Sequence, residues 1–425
     1  MKLHDELKAY LEQQLPGELE LLKKLVAINS FTTNKPGVNE QGQVTAAEFE
    51  QLGFKAEFVA SVRPDFGEHL VLTKKGRTSK TIGLISHLDT VYPAEEEQRN
   101  HFSWRPAGDR IYGPGTVDIK GGTVVLHMTL LGIMKFAPEI FEEMNWVVLL
   151  NSSEEVMSHD FGKLCLDRLG ENCLGALVFE AGARNGDTYA FVTARKGRAV
   201  FRVTAEGRGA HAGSHHERGA NAVVQLADAV QRIAALTDYS KQLTYNVGII
   251  SGGAGLNRVP HEAVAEGEMR TFDMNTYREG VRALMALNSL SSVKSADDEH
   301  PCRIKIEITQ ESPPWPKNEK TERLFQLWSA ASRAMGLAAV REERGGISDG
   351  NFICHKVPTL DGLGPNGDNA HCSEQSPDGT KEQEYVEVSS MIPKAAMNAL
   401  AVIELGKSGD RKSEARYRVS CGKAF

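Results

Sequence analysis

The chain has 425 residues, more than one ordinary hydrophobic core accommodates, so two domains are expected. It is 41% hydrophobic and 25% charged, a globular composition, and its formal charge of −7 argues against nucleic acid or an anionic membrane as partner. The six cysteines (Cys165, Cys173, Cys302, Cys354, Cys372, Cys421) show no CxxC spacing and read as reduced thiols of a cytoplasmic protein, not as a disulfide framework or a thiolate zinc site. Residues 1–15 are amphipathic and lack the apolar core of a signal peptide, and no apolar run reads as long enough to span a bilayer.

Residues 3–28 carry helical spacing, with Leu7, Tyr10 and Leu11 and then Leu21, Leu22, Leu25, Val26 and Ile28, interrupted near Pro16-Gly17. A second helix is expected over 45–52. Short apolar runs at 70–73, 82–85, 146–150 and 176–179 read as strands, with a helical run over 122–135 between the second and third. Strands alternating with helices predict an α/β sheet covered on both faces. The region 197–309 differs. Strands at 199–206, 245–250, 262–272 and 302–309 and helices at 220–236 and 275–287 give the order βαββαβ of a ferredoxin-like α+β domain. The α/β pattern then resumes with a helix over 319–336 and a strand over 359–363. The expected organisation is therefore a catalytic α/β domain in two parts, 1–195 and 310–425, with a ferredoxin-like domain inserted at 196–309. Pro313-Pro314-Trp315-Pro316 reads as the stiff return hinge.

The polar residues that end the apolar strands carry the chemistry. His87 follows the strand 82–85, and Asp89, two residues on, points to the same side of an extended chain. Asp118 lies in a glycine-rich stretch, 113–122, just before a helix. That stretch lacks both GxGxxG and GxxxxGK[ST], which argues against a phosphate-binding turn. Glu154 and Glu155 follow the strand 146–150, Glu180 follows 176–179, and His371 lies in a loop after 359–363. Each alone is an ordinary polar loop residue. In open α/β sheets, however, sites form beyond the carboxyl ends of the strands. Two histidines and several carboxylates converging there fit a metal site of nitrogen and oxygen ligands.

These segments resemble the family of co-catalytic zinc peptidases and amidohydrolases that contains glutamate carboxypeptidase, aminoacylase and succinyl-diaminopimelate desuccinylase. The similarity lies in SHLDTV (86–91), IYGPGTVDIKGG (111–122), NSSEE (151–155), VFEAG (178–182), GAHAGSHHERGANA (209–222), LNRVP (256–260), EMRTFD (268–273), GGISDG (345–350) and DGLGPNGDNAH (361–371), in family order over most of the chain. The resemblance implies a zinc-binding α/β domain with a ferredoxin-like lid that dimerises. It implies two zinc ions per chain, replaceable by other divalent ions such as Co2+ or Mn2+. His87 and Glu180 would hold one, Glu155 and His371 the other, and Asp118, with a cis peptide bond to Ile119, would bridge them. Asp89 would orient His87, and Glu154 would be the general base. His211 would stabilise the oxyanion in the partner subunit's site. Asn257 and Arg270, with the Gly345-Gly346 turn, would grip the substrate's free carboxylate; His215 and His216 receive no role.

Glu180 stands where amino-peptide-cleaving members carry aspartate, which favours substrates with a free carboxylate beside the scissile amide. Two departures from the family pattern bear on specificity. Ile347 replaces a small or hydroxylated residue. Glu311-Ser312-Pro313 lacks the arginine that glutamate-specific relatives carry before the proline. The loop after His371 also looks lengthened through 372–383. The expected activity is a cytoplasmic dizinc amidohydrolase of carboxypeptidase type acting on a small peptide. The alternatives are an N-acyl-amino-acid deacylase or desuccinylase and, less favoured, a catalytically inactive zinc-binding paralogue; the intact Glu154 argues against the last.

Overall fold

Alternate residues of the apolar strands part to opposite sides of one six-stranded sheet. In the strand Asn145–Asn151, Trp146, Val148 and Leu150 join one core cluster, while Val147 and Leu149 join another. In Thr81–His87, Ile82 and Leu84 divide from Ile85 in the same way. Both faces are buried because helices cover both. Full burial of each such side chain contributes roughly 1.5–3 kcal/mol. The computed structural model describes residues 2–421.

The sheet order is Lys55–Ala60, Glu68–Lys74, Asn145–Asn151, Thr81–His87, Cys173–Val178, Thr359–Leu360. Its last four strands are parallel to one another. Register sets His87 opposite Asn151 and Ile85 opposite Val178. Three neighbouring strands therefore end together, at the positions that lead into His87, Glu154-Glu155 and Glu180. The helix Lys120–Phe136 lies buried along most of its length and packs against Leu3–Val26 and Val388–Cys421. It starts close under the sheet because Gly122 has no Cβ; one added there would lie 2.1 Å from the carbonyl oxygen of Phe179.

Several elements depart from the sequence-based expectations. The first helix runs unbroken from Leu3 to Val26, with Pro16 inside it. Pro16 and Gly17 are exposed, so water can satisfy the carbonyl that proline leaves unpaired, while Leu7, Leu11, Leu21, Leu22 and Leu25 anchor both halves in the core. The second helix spans Lys35–Glu50, ten residues longer at its start than expected. Asn34 caps it through the Gly37 N–H (3.4 Å), followed by proline in the first turn, a start signal that apolar periodicity alone misses. The edge strand Lys55–Ala60 was not anticipated, being one-third charged and largely exposed. The helical stretch Val388–Lys407 is, against expectation, long and apolar enough to cross a membrane by length and composition; 67% of its most apolar window is buried inside the protein. Cys165, Cys173, Cys302, Cys354 and Cys372 are free thiols, and the Cys421 side chain lies outside the described part.

The chain divides into two compact units, one of Met1–Thr193, Lys317–Glu343 and Ser348–Phe425, the other of Ala194–Pro316 and Arg344–Ile347. The second holds a four-stranded antiparallel sheet in the order Thr244–Gly252, Glu262–Thr271, Gly197–Glu206, Arg303–Ser312. Taken in chain order that is 2-3-1-4, the ferredoxin-like arrangement. Ala199, Phe201, Val203 and Ala205 alternate into its core. Its two helices, Ala222–Ala234 and Met274–Met285, are capped by Asn221 and Asp273.

Candidate metal centre

His87 is the last residue of its strand and is 2% exposed. Its Nδ1 lies 3.0 Å from the Asp89 carbonyl oxygen and 3.4 Å from the Asp89 carboxylate. An Nδ1–H donated there leaves Nε2 as the basic nitrogen. Nε2 points to Asp118 Oδ1 (3.1 Å) and Glu180 Oε1 (3.9 Å). Asp118 Oδ2 lies 3.3 Å from His371 Nε2, which is also 3.2 Å from Glu155 Oε2. The donor atoms thus form two groups, His87–Asp118–Glu180 and Asp118–Glu155–His371, each within 4.8 Å, with Asp118 common to both. The Asp118–Ile119 peptide bond is cis.

Asp89 does more than face His87. Its Oδ1 accepts the Glu154 N–H (3.0 Å), and its Oδ2 accepts the Glu155 N–H (3.3 Å) and the Thr32 hydroxyl (2.7 Å). One buried carboxylate therefore fixes the histidine and the short 3-10 turn Glu154–Val156 together. Glu155 and Glu154 leave that turn differently. Glu155 joins a donor group, and its Oε1 is buried with no hydrogen-bond partner. Glu154 belongs to neither group.

The donors suit a divalent cation of the zinc type: two neutral imidazoles and three carboxylates, one of them with an oxygen for each side. The orphaned Glu155 Oε1 and the excess of buried acids point the same way, since buried charge needs a compensating partner. Burial, reinforced by the charge of Asp118, pushes the Glu155 carboxyl up to about 7. Burial raises Asp349, hydrogen-bonded by Asn151, to about 7. Glu154 is held well above the carboxylate range by burial and then by the charge of Glu180. Hydrogen bonds to Asp118 and Glu155 raise His371 to about 10. Burial opposes a charged His87, yet Asp118 and Asp89 outweigh it and raise its pKa. Burial likewise opposes a charged Asp118, yet hydrogen bonds from His371 and His87 hold it below its ordinary value.

These shifts predict how the metal-free protein responds to pH. Raised acids bind more protons folded than unfolded, so Glu155 and Asp349 cost stability as pH climbs from roughly 4 to about 7. The contribution of His371 is complete below roughly 6.5 and is lost as pH rises to about 10. That of Asp118, its pKa depressed, is lost only in acid. The chelator-treated protein should therefore melt lower at pH 8 than at pH 5.5, and added zinc should raise Tm more at pH 8, where it displaces fewer protons. Calorimetry at the two pH values checks both signs.

The remaining expected site residues lie in the second unit. His211 Nδ1 accepts the N–H groups of Gly213 (3.1 Å) and Ser214 (3.0 Å), which puts its proton on the exposed Nε2. Asn257 lies in the adjoining loop, its carbonyl accepting the Ala212 N–H (2.9 Å). The Arg270 guanidinium is engaged by Glu268 (2.7 and 3.1 Å) and by the Gly345 carbonyl (2.7 Å). The Gly346 carbonyl accepts from Arg195 (3.2 Å). The turn was expected to offer N–H groups; its carbonyls are turned to these two arginines.

Thr32, Asp349 and Glu384 escaped the sequence reading. Asp349 lies within the GGISDG segment, yet only its burial near His87 marks it. Thr32 and Glu384 meet the site from residues far away in the chain, which no local pattern signals.

Residues 83–398 match the model of Peptidase family M20/M25/M40. Carboxypeptidase G2 from Pseudomonas sp. (strain RS-16) is 28% identical over 396 residues, covering 92% of this chain and 90% of that protein. A succinyl-diaminopimelate desuccinylase from Bordetella parapertussis is 25% identical over 388 residues, covering 88% and 94%. Among solved structures, aminopeptidase PepT from Bacillus cereus superposes with a TM-score of 0.73 at 19% identity, over 92% of this chain and 98% of its own; that likeness speaks for the fold alone.

Proposed function

The chain belongs to Peptidase family M20/M25/M40 and is a metal-dependent hydrolase, and on that premise we propose that it is a dizinc enzyme of carboxypeptidase type, cutting an amide bond beside a free carboxylate. The observation that carries this reading is the division of the Asp118 carboxylate, Oδ1 toward His87 and Oδ2 toward His371, with Glu154 left outside both donor groups. His87 and Glu180 would hold one zinc and Glu155 and His371 the other, with Asp118 between. Zinc bound there would supply a Lewis acid that polarises the scissile carbonyl and acidifies water. Glu154 takes the proton of the attacking water and delivers it to the leaving amine. Asp89 holds the turn that aims Glu154. His211 donates its Nε2–H to the developing oxyanion. Arg270 and Asn257 bind the substrate carboxylate, Arg270 exchanging its internal partners for it.

The similarity to desuccinylases supports a second reading, an N-acyl-amino-acid deacylase with the same machinery. Turnover on a mixed panel of dipeptides and N-acyl amino acids separates the two. Elemental analysis of the active protein should give two metals per chain, because five donors exceed one tetrahedral zinc; one metal at full activity refutes the dizinc reading. Both readings require the free carboxylate. Amidating it should lower kcat/KM about 10–100-fold, the worth of hydrogen bonds to a charged group. Equal values for acid and amide would remove Arg270 from the mechanism.

We further infer a homodimer through the second unit. Thr244–Gly252 is an edge strand of its sheet, with Ile249 and Ile250 each 60% exposed. Val224 on the helix Ala222–Ala234 is 52% exposed. An open apolar edge of this kind is normally covered. The free, mostly buried thiols support a cytoplasmic location.

A further inference from the structure

Glu384 is fully buried and lies at the end of the segment 372–383 that follows His371. A single oxygen, Oε1, accepts the N–H of Val117 (2.8 Å) and the N–H of Asp118 itself (3.0 Å). Oε2 accepts the hydroxyl of Tyr92 (2.7 Å), whose ring is buried against Phe102. The main chain of the same residue is also engaged. Its carbonyl accepts the Gly113 N–H (3.3 Å), at the other end of the glycine-rich loop, and its N–H donates to the Cys372 carbonyl (2.8 Å), beside His371. The Cys372 N–H in turn closes the turn onto Asn369 (2.9 Å). One residue thus grips both ends of the loop that carries Asp118 and the turn that carries His371. These are two donors 253 positions apart in the chain (371 − 118), and neither is held by regular secondary structure on both sides.

We propose that Glu384 is a positioning residue for the metal centre, setting the backbone of Asp118 so that its two oxygens divide between the histidines. The proposal rests on the reading of Asp118 as the shared metal ligand. Buried N–H groups are costly to leave unpaired, so the loop does not relax freely away from this carboxylate. The carboxylate acts by where it places two N–H groups. The position of its one shared oxygen, rather than its charge, does the holding.

The test is zinc affinity of the full chain, stripped by chelator and titrated with zinc against a competing chromophoric chelator. Glu384→Gln keeps an amide oxygen for both N–H groups, and its amide N–H can donate to the Tyr92 oxygen; it should bind zinc as the unaltered protein does. Glu384→Asp keeps the charge but withdraws the carboxylate by one methylene. It should bind about 10–100-fold more weakly, with much of its lost kcat returning at saturating zinc. Tyr92→Phe leaves both Oε1 bonds in place and should not change zinc affinity. The proposal is overturned if Glu384→Asp binds zinc normally, whatever its melting temperature. It is equally overturned if Glu384→Gln is the weaker binder, which would show that charge matters rather than placement. Should Glu384→Asp fail to fold, Glu384→Gln alone decides: matched affinity supports the proposal and weakened affinity overturns it. Asp118→Asn, titrated beside these, tests the underlying reading separately. Undiminished zinc binding there removes Asp118 from the ligands irrespective of what the Glu384 variants do.

Discussion

Glu154→Gln is expected to lower kcat by about 10²–10⁴-fold, the usual worth of a positioned acid–base group, while metal content stays unchanged. The substitution is nearly isosteric. It leaves the main-chain bond from Glu154 to Asp89 (3.0 Å) in place and removes only the capacity to take a proton. Glu154 belongs to neither donor group, so no ligand is lost. Glu155→Gln should do the reverse. Its Oε2 lies 3.2 Å from His371 Nε2 and its Oε1 is buried without a partner, the geometry that supports its reading as a ligand. That variant should weaken one metal site and lose activity through the loss. Elemental analysis beside single-turnover kinetics distinguishes the two. If Glu154→Gln sheds metal and Glu155→Gln does not, the adjacent acids have exchanged roles.

His211→Ala should reduce kcat about 10²–10³-fold, again without loss of metal. The Gly213 and Ser214 N–H groups occupy Nδ1, so the imidazole offers a fixed donor at Nε2 and pays no reorganisation when negative charge develops. The inferred dimer adds a sharper expectation. Mixing His211→Ala with Glu154→Gln under conditions of subunit exchange creates hybrids in which one site has Glu154 from one chain and His211 from the other. Activity should return in the hybrid. Demonstrated exchange with no recovered turnover would confine His211 to its own subunit or remove it from the reaction.

The residues that end the parallel strands were legible because the fold class makes strand ends special. His87, Glu155 and Glu180 each follow a short apolar run, and register alone then gathers them. Asp118, just before a helix, and His371, in the loop after 359–363, were gathered with them by position, and the resemblance of whole segments to a family implied which donors pair. The helix start at Asn34 is written in the sequence as a cap followed by proline, a signal that apolar periodicity does not register. The continuity of Leu3–Val26 through Pro16 could not be read that way. Propensity opposes it, and only the burial of leucines on both sides outweighs the proline.

By itself, then, the sequence determined the layers, the inserted ferredoxin-like unit and which residues meet in the two donor groups, because periodicity, residue type and segment resemblance are all read along the chain. Tertiary structure decided how those side chains are held. Asp89 joins His87 to the Glu154 turn, Thr32 supports Asp89 from 57 positions away (89 − 32), and Glu384 holds Asp118 from 266 positions away. It also decided that Arg270 rests against Glu268 and the Gly345 carbonyl. Each of these is a hydrogen bond whose partner is chosen by packing. A carboxylate in a linear sequence does not specify which distant N–H it will meet once water has been excluded.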